Sequence, residues 1–184
     1  MKIKGTAVKS TPQFVKDVHK DKYNKWLASL PQASKDIMQK SIDVTAWYPL
    51  TEAVIIPTEN IAKLFFSDSK EAAFEVGKYS AEVALKGVYK VFMMIATPIF
   101  MISRAAKIFS TYYDPAEIKV VENKNNKALI QVRKFKEKDC LIAYRIAGWL
   151  VSALEMMHKK NVRYNIDCDF TLGVEKIDIE LTWL

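Results

Sequence analysis

Residues 91–103 run without a single charge, and Pro98 stands inside that run. A helix needs about 20 apolar residues to cross a hydrocarbon layer of about 30 Å. This stretch is too short for that, and a proline in a helix interior removes a hydrogen bond and breaks the rod. The segment over 88–109 is therefore expected to be a pair of buried helices divided at Thr97-Pro98, with no membrane span. Whatever the chain folds into has to cover this apolar middle.

The rest of the chain supplies the cover. Residues 1–115 carry helical spacing. Phe14, Val15 and Val18, then Tyr23, Trp26, Leu27 and Leu30, mark short amphipathic helices, with Ser10-Thr11 before Pro12 as the N-cap signal. Residues 42–49 read as an irregular connector. A helix over 50–66 should be kinked or divided at Pro57, with Thr58 as a new cap. Ser67-Asp68-Ser69 precedes a helix over 70–86 in which Ala73, Val76, Gly77, Ser80, Ala81 and Ala84 let a neighbouring helix or a ligand come close.

Beyond Asp114-Pro115 the pattern changes to alternation of apolar and polar residues. Strands are expected over 117–122 and 127–134 around Asn123-Lys124-Asn125-Asn126, and over 162–170 and 176–183 around Gly173. Between the two pairs lies one long helix over 138–160, striped by Leu141, Tyr144, Ile146, Ala147, Leu150, Val151, Leu154 and Met157. The fold class is thus α+β: a helical N-terminal two-thirds (1–115) packed on a C-terminal β-β-α-β-β antiparallel sheet (116–184) in a single domain over 1–184.

Charge and cysteines bound the setting. A net charge of +7 invites a nucleic-acid reading, but the lysines are spread along helix faces, so no nucleic-acid partner is expected. Cys140 and Cys168 form no C-x-x-C pair and read as buried free thiols. No apolar run follows the first lysines, so no signal peptide is read and the cytoplasm is the expected home.

Catalysis lacks its parts. The chain has no G-x-S-x-G, P-loop, G-x-G-x-x-G or H-E-x-x-H motif. His19 sits among lysines and reads as exposed, and His158 closes the long helix, where a cation complements the macrodipole. The carboxylates read as solvated helix positions, and no metal site is expected. What stands out is a set of aromatic residues and methionines, of which Tyr79, Tyr89, Phe92, Met93, Phe100, Tyr112 and Trp149 are the candidate ligand-binding residues. Methionine repacks easily and tyrosine brings a polar tip to an apolar wall, which suits an adaptable pocket. Core packing or a dimer seam would use the same residues.

Gly77-Lys78-Tyr79-Ser80-Ala81-Glu82, Gly87-Val88-Tyr89, Ser110-Thr111-Tyr112-Tyr113-Asp114, Ile146-Ala147-Gly148-Trp149 and the segment from Cys168 to Trp183, with Trp47-Tyr48-Pro49-Leu50, resemble an uncharacterised bacterial family of myxobacterial type. That family is similar to four-vinyl reductase domains and, more distantly, to haem-NO-binding domains. The resemblance implies an α+β sensor or binding module, often dimeric, with an apolar cavity between helices and sheet for an aromatic effector, a tetrapyrrole or an acyl chain. Two departures bear on cofactors. Many four-vinyl reductase domains carry paired cysteines near the C-terminus that help bind zinc; Cys168 matches the first, but Ile177 or Lys176 stands where the second would be. Neither His19 nor His158 has the setting of the haem-ligating histidine. The sequence therefore argues against zinc and haem and leaves the cofactor unknown. The expected function is non-catalytic binding or sensing of a small hydrophobic or aromatic molecule by a homodimer. A protein-interaction or homodimerisation scaffold without ligand is the alternative, and an enzyme acting on an apolar substrate stands third.

Overall fold

The computed structural model describes residues 1–86, 95–134, 140–168 and 176–184. Strand β1 (Lys2–Lys4) leads into the short helices α1 (Gly5–Val8), α2 (Ser10–Val18), α3 (Tyr23–Ser29) and α4 (Gln32–Met38). Strand β2 (Trp47–Pro49) follows, then a π-helical turn (Thr51–Ile55) that runs into α5 (Ile56–Phe65). The helix does change character next to Pro57, but Thr58 is no cap, because its hydroxyl is buried without a partner among the described residues.

Helix α6 (Ser69–Ala84) starts where the sequence places it. The Asp68 carboxylate accepts hydrogen bonds from the backbone N–H groups of Lys70 (2.7 Å) and Glu71 (2.9 Å), which satisfies two of the helix's orphan donors. Helix α7 (Pro98–Phe109) begins at the proline, with Thr97 Oγ1 accepting from Phe100 N at 3.2 Å. No described helix is long and apolar enough to cross a membrane.

Strand β3 (Tyr113–Asp114) returns to pair with β1. Strands β4 (Glu117–Lys124) and β5 (Lys127–Arg133) then form a hairpin, helix α8 (Leu141–Met156) follows, and β6 (Arg163–Asp167) and β7 (Lys176–Thr182) close the chain. Asn125 and Asn126 at the hairpin tip both have positive φ (52° and 59°), the left-handed conformation that asparagine tolerates. The order β4-β5-β7-β6 is antiparallel throughout, which is the β-β-α-β-β sheet expected from the alternation. In its central pair Ala128 faces Leu181, Ile130 faces Ile179 and Val132 faces Ile177, all buried, while Lys127 pairs with Glu180 (2.6 Å) on the other face.

The second sheet, β2-β1-β3, is a departure from the sequence reading, which took residues 42–49 as an irregular connector. Strands of two or three residues are too short to show a period.

Helix α8 is buried on nearly every side, as a helix sandwiched between layers must be. One side lies against the sheet and the opposite side crosses α6 at a pair of glycines. A Cβ on Gly148 would stand 2.1 Å from the carbonyl oxygen of Phe74, and one on Gly77 would stand 2.1 Å from that of Arg145. Only the missing side chains let these two backbones touch.

The cysteines are a correction. Cys140, just ahead of α8, and Cys168, just past β6, are joined in a disulfide with their Cα atoms 6.2 Å apart, so they are not free thiols. The two cysteines are 28 positions apart in the chain, next to elements that the fold brings side by side.

Candidate functional site

A cavity of about 1050 Å³ opens between the N-terminal helices α1 and α2, helix α6, helix α7 and helix α8. Its wall is mainly apolar, with Met101, Ile108, Phe109 and Ile146 among its members. Four of the candidate residues named from sequence line it: Tyr79 on α6, Phe100 on α7, Tyr112 just after α7, and Trp149 on α8. Trp149 meets Phe109 edge to face, with ring centroids 5.3 Å apart, so the α8 wall is braced by the α7 wall. Tyr89, Phe92 and Met93 lie outside the described residues.

The family resemblance implied a cavity between helices and sheet. The described wall instead takes nothing from the four-stranded sheet, and only Tyr113 of the short β3 reaches it. The reason is α8, which fills the space over the sheet with its own apolar face and leaves the opening on its far side.

The most informative residue in the wall is Arg145, which the sequence reading passed over. It is only 5% exposed. Nη1 donates to Thr11 Oγ1 at 2.9 Å, and Nη2 donates to Ala7 O and Ser10 Oγ, each at 2.7 Å. Ser10 and Thr11, expected to be helix caps, are therefore its partners, and α2 begins without a side-chain cap. All three acceptors are neutral, and no carboxylate pairs with Arg145 among the described residues.

A buried charge without a counter-charge is destabilising and usually forces a change of protonation. Burial does pull the Arg145 pKa down, with the nearby Tyr113 phenol opposing it. An arginine starts so high that it keeps its charge at neutral pH regardless. Tyr113, itself buried, is pushed up to about 12 and stays a neutral phenol. One signal in the sequence could have exposed Arg145: it is a lone cation within a helix whose other inward positions are apolar, small or hydroxyl-bearing.

Toward the rim, Asp17 is held by Gln13 Nε2 (3.1 and 3.2 Å) and by the Tyr79 hydroxyl. The Tyr79 hydrogen bond holds the Asp17 carboxyl below its usual range, so it stays ionised. Burial, together with that same bond, raises the Tyr79 pKa well above an ordinary phenol. Exposed Lys9 and Arg104 complete the charged groups of the described wall.

Neither histidine lines the cavity. His158 is exposed. His19, expected to be exposed, is half-buried instead: its ring stacks on Phe65 with centroids 4.1 Å apart and meets Phe14 and Phe66 edge-on. No group of three or more His, Cys, Asp or Glu side chains suited to a metal ion occurs among the described residues.

No protein-family model and no curated protein sequence matches the chain. Solved structures do. The Fe(II) unliganded H-NOX protein from K. algicida superposes with a TM-score of 0.70 over 99% of this chain and 97% of its own, at 10% identity. An H-NOX protein from S. oneidensis in the Fe(II)NO ligation state gives 0.71 over 99% of both chains at 12% identity. The fold is that of the haem-NO-binding domains. A third such structure concerns haem redox potential and protein-induced porphyrin distortion, with a TM-score of 0.67, 98% of this chain covered and 10% identity. Identities this low carry the haem-NO-binding fold and nothing finer. They bear out the more distant of the two sequence resemblances, and no sequence relative supports the myxobacterial-type family.

The argument against haem is overturned by the same comparison. It rested on the settings of two histidines, whereas the solved proteins that share this fold along nearly its whole length are haem-binding proteins.

Proposed function

We propose that the chain is a non-catalytic sensor or carrier of a small apolar molecule, with haem the first candidate for its occupant. The observation that carries this reading is the cavity itself. Its volume is at the top of the range for small-molecule sites, roughly 300–1,000 Å³, and its wall combines a broad apolar surface with a few polar groups. Tyr79, Phe100, Tyr112 and Trp149 are its proposed contacts.

The residues present fit haem in size and charge. The apolar wall would cover the faces of the macrocycle, and Arg145, Lys9 and Arg104 supply cations for its carboxylates. With no imidazole on the wall, the iron would draw a protein ligand from the Met101 thioether or a tyrosine phenol. Haem would bring gas and redox chemistry, and the chain's own part is to bind it, orient it and shut out water.

The test is titration of the purified protein with haem, followed by Soret absorbance and native mass spectrometry. A saturable one-to-one complex is expected. No saturable binding of haem, together with an unliganded mass for protein purified from its own host, would overturn the proposal.

A homodimer is a second reading, favoured by the exposed apolar residues Ile99, Phe100 and Ile108 on α7 (51%, 52% and 41% exposed). Light scattering that gives a monomer at all concentrations would remove it.

A further inference from the structure

The geometry points to Arg145 as the anchor for the carboxylate of an amphiphilic acid held in the cavity. This inference rests on the proposed ligand site and names the chemistry of what enters it.

A guanidinium carries five N–H donors and no acceptor. Three hydrogen bonds hold Arg145 in place, and all go to neutral oxygens of the chain's first helices: Ala7 O, Ser10 Oγ and Thr11 Oγ1. Those bonds fix its orientation without cancelling its charge. Its remaining N–H groups have no acceptor among the described residues, and the side chain borders the cavity. A planar, pre-oriented, desolvated guanidinium is the arrangement that receives a carboxylate with two parallel hydrogen bonds.

The charges around the cavity favour the same sign of ligand. Lys9, Arg104 and Arg145 stand against Asp17, the one carboxylate of the described wall, and Asp17 is already occupied by Gln13 and Tyr79. Water is a poor substitute for an anion beside this guanidinium, because it brings no charge into a site where the local dielectric is low. On helix α7, apart from Arg104, the wall is apolar, formed by Phe100, Met101, Ile108 and Phe109 among others. The complementary molecule is thus acidic at one end and apolar along its body. A long-chain carboxylic acid and a tetrapyrrole bearing propionates both satisfy this description.

The experiment uses two matched pairs of probes on the intact chain: dansylundecanoic acid with its methyl ester, and haem with its dimethyl ester. Each ester keeps the body and removes the charge. In at least one pair the acid should bind about tenfold or more tightly than its ester, the scale of a hydrogen bond to a charged group. Which pair shows the preference tells the chain acid from the tetrapyrrole. In Arg145→Met the preference should fall below about threefold while the ester still binds. Lys25→Gln, which removes an exposed cation outside the cavity wall, should leave the acid preference intact.

Equal binding of acid and ester in the unmodified protein would overturn the anchor and leave the cavity reading standing. Failure of every probe to bind would sink the cavity reading and the anchor with it. If Arg145→Met does not fold, Arg145→Lys takes its place and should narrow the acid preference, because a point charge lacks the two parallel hydrogen bonds of the guanidinium.

Discussion

His19 shows how an aromatic environment turns a surface-looking residue into a titrating one. Its ring is packed among Phe14, Phe65 and Phe66, its Nε2 is buried with no partner among the described residues, and Lys22 lies close by. Burial first, then the Lys22 charge, lowers its pKa in the folded state. The folded protein therefore holds fewer protons than the unfolded chain in the window just below the ordinary histidine pKa of 6.5, so stability rises with pH there. Stability should be complete above that value and fall as pH drops through the lower folded value. Urea unfolding between pH 7 and 5 should show this slope in the native sequence, and His19→Phe should flatten it. An equal slope in both proteins would contradict the assignment. Arg145 carries the opposite lesson. Its partners lie 134 to 138 positions away, and its sequence neighbours Ile146 and Ala147 suggest ordinary core, so only the folded chain reveals what the charge is for. Tyr79 and Trp149 were legible one by one because bulky aromatics on helical stripes must pack against something. That they share a wall with a cation was not.

Among the elements, the α6–α8 crossing sets the geometry of the site. The Gly77 and Gly148 contacts are reciprocal, each glycine lying under a carbonyl of the other helix, so neither position can take even a methyl group without moving a backbone. Gly148→Ala should cost about 3 kcal/mol of stability, at the upper end for overpacking because the clash is with backbone. Gly77→Ala should cost a similar amount and also weaken ligand binding, since the atom it strikes is the carbonyl of Arg145. Chemical denaturation and probe titration on the two variants check both claims. The long helices and the large sheet were readable because amphipathic period and alternation persist over many residues. The β2-β1-β3 sheet was not, because its pairing of Ile3 with Tyr48 and Tyr113 is decided by distant chain segments meeting.

At the scale of the molecule, the disulfide ties the start of α8 to the end of β6, and with it the cavity's rear wall to the sheet. Closing a loop of 28 positions restricts the unfolded chain by about 3.5 kcal/mol in the chain-entropy account. Reduction, or Cys140→Ser with Cys168→Ser, should lower Tm on the order of 10 °C by calorimetry. An unchanged Tm would mean that the bond adds no constraint.

The partners of Arg145 also set an order of events. Thr11 is synthesised 134 positions before the guanidinium that binds it, roughly 7–27 s at translation speeds of about 5–20 residues per second. Through that interval the nascent N-terminal helices have no cation to clasp, and the pocket has no floor. A ligand captured during synthesis can therefore join only after α8 has left the ribosome, which makes cofactor loading a late, post-collapse event in the life of this chain.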